Sequence, residues 1–110
     1  MDPPDKPVLI YATYPDLDRA EAEARVLVEE GLAACVNILP GMVSVYRWEG
    51  ALERAEECVA IVKTRAGLAE RAIAAASARH PYATPAFLVL PVEAGLAAYL
   101  EWIAASTKGV

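Results

Sequence analysis

The chain contains one histidine, His80, which opens the hexapeptide His80-Pro81-Tyr82-Ala83-Thr84-Pro85. Imidazole is the commonest protein metal ligand and the one side chain that ordinarily titrates near neutral pH. The two prolines fix their own φ and push the residue before each toward extended geometry, so the imidazole sits on a stiff loop. A second reading is structural, because a histidine at a helix C-terminus favours the helix dipole. One imidazole supplies one ligand, whereas a tight site needs three or four. Carboxylates or the histidine of another subunit must then complete it.

The two cysteines offer less. Cys35, flanked by Ala33, Ala34 and Val36, reads as a small buried hydrophobe, and Cys58, alternating with Ala60 and Val62, as core. With a hairpin turn at Glu49-Gly50, Cys58 falls opposite about Met42. That separates the thiols by roughly 23 Å, far beyond the limit of about 7 Å between Cα atoms for a disulfide. A Cys35–His80 hydrolytic dyad would need an orienting third group. Ser44, Ser77 and Ser106 lack an elbow or a Ser-x-x-Lys context, and no Gly-rich phosphate loop occurs, so no catalytic residue is expected. Lys63, among apolar residues, is expected to pair with a glutamate such as Glu57 or to meet an anion. Tyr46, Trp48, Tyr82, Tyr99 and Trp102 fall outside the expected core, where such residues form subunit interfaces or line ligand pockets.

The elements that must position these groups follow from periodicity. Val8–Thr13 is a short apolar β-forming run, and Leu17–Glu30 repeats apolar residues at helical spacing behind Asp16 or Asp18 as a cap, with Gly31 as its stop. Leu32–Leu39 and Val43–Trp48 read as one strand broken at Pro40-Gly41, with Ser44, Tyr46 and Trp48 on one face. Leu52–Thr64 returns as its partner. Gly67–Arg79 is a second helix, Ala86–Val92 a further strand, and a last helix follows Gly95. The order β-α-β-β-α-β plus a terminal helix is the ferredoxin-like split βαβ arrangement, an α+β fold in one domain over residues 1–110. The run Leu32–Trp48 would extend about 55 Å, against about 34 Å for a 110-residue globule. The hairpin therefore bends at Pro40-Gly41, projects beyond its sheet, or both, and its unpaired edges suit a second subunit.

Composition excludes several classes. Fifteen acidic against ten basic residues give a net charge of −5, which opposes nucleic-acid or anionic-membrane binding and suits cations. In particular, the strand order shared with RNA-binding domains lacks the basic and aromatic strand motif that such a role needs. No apolar run approaches the roughly 20 residues of a membrane span. The start Met1-Asp2-Pro3-Pro4-Asp5 does not read as a signal peptide, so a soluble cytoplasmic protein is expected. Glutamine is absent and Asn37 is the sole asparagine, a usage that resembles thermophile proteins.

Five segments stand in register. Gly31-Leu32-Ala33-Ala34-Cys35-Val36-Asn37-Ile38, Ser44-x-Tyr46-x-Trp48-x-Gly50, Lys63-Thr64, His80-Pro81-Tyr82-x-x-Pro85 and Tyr99-Leu100-x-Trp102-Ile103 together resemble the CutA divalent-cation-tolerance family from about Val8 to Thr107. The resemblance implies a homotrimer assembled like PII signalling proteins, with long hairpins pairing between subunits. It also implies a link to tolerance of copper and other divalent cations, with weak metal binding at subunit junctions and no obligatory cofactor. Copper(II) suits imidazole best in the Irving–Williams order. Carried over by position, His80 and Cys35 are the implied metal ligands. Tyr46, Trp48, Lys63, Tyr82 and Trp102 are the implied junction or ligand pocket. Two positions depart from the family: Ala83 stands where a Glu or Gln often follows His-Pro-Tyr, and Ala12 where some members place a cysteine. The alternative is a PII-like small-molecule sensor or scaffold whose pocket uses Tyr82, Trp48 and Lys63 without metal.

Overall fold

A computed structural model describes residues 5–109; the acidic start over residues 1–4 lies outside them. The element order is β1 (Pro7–Tyr14), α1 (Leu17–Glu29), β2 (Cys35–Trp48), β3 (Ala51–Arg65), α2 (Ala66–Arg79), β4 (Phe87–Pro91) and α3 (Ala97–Ala105). The four strands form one sheet in the order β2-β3-β1-β4, and every pairing is antiparallel. This mixed α+β architecture has the strands and helices where the periodicity places them.

Strand alternation divides the sheet into two faces. Val8, Ile10, Ala12 and Tyr14 of β1 pair across to Thr64, Val62, Ala60 and Cys58 of β3. These side chains are buried, and together with Leu27 of α1 and Leu68, Ala69 and Ala72 of α2 they build the core. The other face carries Leu9, Tyr11 and Thr13 of β1, Lys63, Ile61 and Val59 of β3, and Cys35, Asn37 and Leu39 of β2. Cys58 is buried, as its alternation indicates.

The apolar run from Leu32 begins as a helix closure and becomes strand only at Cys35. Gly31 takes a left-handed φ of 73°, and the amides of Leu32 and Ala33 both return to the Leu27 carbonyl. Apolar character there reflects burial under α1 rather than strand pairing. Thr64 ties this turn down, its hydroxyl donating to the Leu32 carbonyl at 2.7 Å with no exposure to solvent.

The hairpin both bends and projects. Leu39 pairs with Val59 and Met42 with Glu57, so Pro40 and Gly41 stand opposite the single residue Cys58. Pro40 has no amide to donate, and Gly41 supplies the φ of 80° that this bulge requires. Beyond it, residues 51–57 of β3 pair with β2 alone, and the molecule measures 45 × 26 × 21 Å. Glu49 (φ 49°) and Gly50 (φ 81°) make the two-residue turn at the tip.

Candidate functional site

The one-residue bulge decides where the hairpin aromatics point. Cys35, Asn37 and Leu39 lie on the face away from α1 and α2, and an unbroken strand would turn Tyr46 and Trp48 to the opposite face. The extra residue reverses the alternation. Met42, Ser44, Tyr46 and Trp48 therefore share the face of Glu57, Tyr11 and Thr13, and the Tyr11 hydroxyl contacts the Met42 sulfur at 3.5 Å. The loop after α2 then rounds the end of β1 to reach β4, bringing Pro81, Tyr82 and Thr84 against that face. Arm, sheet and loop enclose an open groove of about 750 Å³.

Among the described residues Glu57 is the one Asp, Glu, Lys, Arg or His side chain lining the groove, and it is only 9% exposed. The Tyr82 hydroxyl donates to its Oε2 at 2.8 Å, and Oε1 has no hydrogen-bond partner among the described residues. Burial, and then the bond to Glu57, push the Tyr82 phenol up to about 12. Tyr14, at the end of β1, is raised further from its ordinary value, first by burial and then by the nearby Glu23 carboxylate.

The two raised phenols have a consequence in alkali. Both are raised above an unfolded value near 10, so the stability they carry is complete below about pH 10 and is lost as pH climbs through their folded values. Unfolding free energy is expected to fall above about pH 10 by up to about 1.4 kcal/mol per pH unit per phenol. Tyr82→Phe should remove its share of that slope. Urea midpoints measured between pH 8 and about 12 test this; a midpoint that stays flat refutes it.

His80 stands behind the groove, as the C-cap of α2. Its ring stacks on Tyr14 at 4.6 Å and meets Phe87 edge-on at 5.8 Å, on the helix side of the sheet. Nε2 lies 2.7 Å from the Thr13 carbonyl, which can only accept, so Nε2 carries the proton. Nδ1 accepts the Tyr82 amide at 3.1 Å. Both nitrogens of the neutral ring are thereby used, and no lone pair is left for a cation. His80 holds Tyr82 in place for Glu57.

Cys35 lies elsewhere. It shares a rung of the sheet with Lys63 and Leu9, while His80 is anchored at Thr13, four residues along β1 and on the other side of the sheet. That is about 13 Å along the strands alone. The two implied ligands do not form a metal site in one chain. Among the described residues no group of three or more His, Cys, Asp or Glu is placed to hold a metal ion.

The remaining aromatics separate into two places. Tyr46, Trp48 and Tyr82 line the groove together with Tyr11 and Thr13, which no motif singles out, and with Glu57, expected instead beside Lys63. Alternation along β1, extended across the sheet, is the signal that places Tyr11 and Thr13 there. Trp102 instead stacks on Tyr99 at 5.4 Å in α3, and the Lys63 ammonium donates to the Tyr99 hydroxyl at 2.9 Å. That bond raises the Lys63 pKa. The expected Lys63–Glu57 pair is corrected: the two share a face of β3 but stand six residues, about 20 Å, apart.

Comparison with known proteins agrees along the chain. A family model described as CutA1 divalent ion tolerance protein matches residues 8–106. The divalent-cation tolerance protein CutA of Thermus thermophilus is 38% identical over 99 residues, covering 90% of this chain and 96% of its own length. The chloroplastic CutA of Arabidopsis thaliana is 41% identical over 101 residues, which are 92% of this chain but 56% of that protein. The chain thus spans little more than half the length of its plant relatives. Among solved structures, CutA from Xylella fastidiosa superposes with a TM-score of 0.91 at 45% identity, covering 94% of this chain and 99% of that one. CutA1 from Oryza sativa gives 0.93 at 37% identity, covering 96% and 97%. These names describe tolerance of divalent cations, not a reaction. They place relatives in the chloroplast, and one from Archaeoglobus fulgidus is called periplasmic. No helix among the described residues is long and apolar enough to cross a membrane.

Proposed function

We propose, from the premise that this chain belongs to the CutA1 divalent ion tolerance family, that it serves cation tolerance as a cytoplasmic, non-enzymatic homotrimer taking up divalent cations weakly at its subunit junctions. The observation that carries the assembly is the hairpin arm. It leaves its own sheet with Val45 66% and Leu52 71% exposed, and the edge strand β4 shows Leu88 at 62%. An arm and an edge of this kind in one molecule suit pairing between copies around a closed ring.

Copper(II) or a similar ion then finds donors from more than one chain. Of the two residues implied as ligands, Cys35 keeps its sulfur available, meeting the Asn37 amide nitrogen only at 3.8 Å, whereas His80 is committed to Thr13 and Tyr82. Threefold repetition of a single donor supplies the ligand number that one chain lacks.

Trp48→Glu, which places a charge on the arm, is expected to convert a three-chain particle to single chains in light scattering, and to abolish calorimetric copper(II) uptake with it. Cys35→Ser should weaken uptake about tenfold in the intact trimer, and His80→Asn should leave it unchanged. Copper binding retained by a monomeric variant would place the site within one chain and refute the junction.

A second reading has its own observation: the groove between arm and loop is large enough for a small molecule, with four aromatic side chains and one nearly buried carboxylate in its lining. On that reading the protein is also a PII-like sensor. Tyr82 and Trp48 belong to its pocket, and Lys63 does not.

A further inference from the structure

We propose that the groove between the hairpin arm and the His80–Pro85 loop binds an organic ammonium ion. The inference rests on the reading of the groove as a small-molecule site and names the ligand's chemistry.

Three features point to that class. Among the described residues the single charged lining group is Glu57, so the groove selects for a cation. Glu57 is also nearly buried, and its Oε1 is without a hydrogen-bond partner among the described residues while Tyr82 holds Oε2. The carboxylate is therefore held by Tyr82 and mostly shielded by the fold before any ligand arrives. Finally, Tyr82 is bonded to it, Tyr11, Tyr46 and Trp48 line the same groove, with Trp48 toward the tip of the arm, and the faces of such rings attract cations through their quadrupoles, most strongly where water is excluded.

The same features disfavour a bare divalent ion in this place. Zinc or copper needs three or four strong donors, and the groove offers one carboxylate with one oxygen already engaged. An alkylammonium needs the reverse: one negative charge, apolar surface for its methyl groups, and few strong donors. The hydroxyls of Thr13, Ser44 and Thr84 at the wall accommodate the polar end of such a molecule. His80 is a positioning residue here, because its two hydrogen bonds fix the loop that delivers Tyr82.

The chain's two tryptophans make the test direct. In the full-length Trp102→Phe protein, Trp48 is the only indole and lies in the groove. Its fluorescence is titrated with choline and with 3,3-dimethyl-1-butanol, the uncharged analogue of the same shape. Saturable change with choline, at least tenfold tighter than with the alcohol, is expected. Glu57→Gln should weaken choline at least tenfold and leave the alcohol unchanged. Tyr46→Leu, at an exposed position that does not threaten folding, should weaken choline several-fold and serves if Glu57→Gln does not fold.

Equal affinity for choline and the alcohol overturns the proposal and leaves a small-molecule groove without charge preference. No saturation with either overturns both. Copper(II) binding lost in Glu57→Gln, with choline not bound, overturns it by assigning the carboxylate to a metal.

Discussion

Arg79→Ala is expected to destabilise the fold by about 3–5 kcal/mol, more than removal of its partner Glu23. The pair joins α2 to α1 through two bonds, Nε to Oε1 at 3.0 Å and Nη2 to Oε2 at 2.6 Å. Its two ends are unequal. The Glu23 side chain is 7% exposed and the Arg79 side chain 44%. Removing the arginine strands a buried carboxylate beside the buried phenol of Tyr14, whereas removing the glutamate leaves a guanidinium that can turn to water. Glu23→Met, which fills the volume without charge, should therefore cost only about 1–2 kcal/mol. Urea unfolding at one fixed protein concentration measures both. Equal losses would refute the asymmetry. Since Arg79 immediately precedes His80, the alanine variant should also loosen the loop that presents Tyr82.

The second large effect is expected at Arg65, where Arg65→Met should cost about 3 kcal/mol. This side chain, 8% exposed, ties both ends of the chain to the start of α2. It pairs with Asp5 at 2.8 Å, donates to the Thr107 hydroxyl at 2.8 Å, and donates to the Lys108 carbonyl. Methionine keeps the packing of the stem and removes all three partners at once. Among the described residues one buried oxygen of Asp5 already has no hydrogen-bond partner, so its carboxylate has little to fall back on. Amide exchange should rise most at Ala66, bonded to the Lys6 carbonyl, and at Lys108, bonded to the Gly31 carbonyl. Exchange that accelerates evenly over the sheet instead would show a global loss of stability rather than a lost clamp.

The order of elements was legible because the signals are local. Gly31, Pro40-Gly41 and Glu49-Gly50 punctuate runs of opposite periodicity, and arithmetic on the length of Leu32–Trp48 shows that its hairpin must bend at Pro40-Gly41, outgrow the sheet, or both. The shared face of Ser44, Tyr46 and Trp48 was legible for the same reason. What lies across from that face was not. The contact between His80 and Thr13 spans 67 positions, and the bond from Tyr82 to Glu57 spans 25. No periodicity within either segment encodes such a pairing. A lone histidine after a helix therefore read equally well as ligand or cap, and only the positions of Thr13 and the Tyr82 amide show that both nitrogens are committed. The Lys63 partner is a different case. Strand rise alone puts Glu57 out of reach of Lys63, while Tyr99 as its partner depends on where α3 docks.

The bulge at Pro40-Gly41 has a further meaning for how this molecule can vary. On the sheet side of it, register is locked by β1 and by the core, and a slip of one residue would turn buried side chains to water. On the far side the backbones of the two strands pair only with each other. Inserting or deleting matched pairs of residues there, two in each strand, would preserve which face every side chain presents and would touch no core contact. The arm's length is thus a free dimension of the design. How far one copy reaches toward another can be tuned in steps of about 7 Å without renegotiating the fold that carries it.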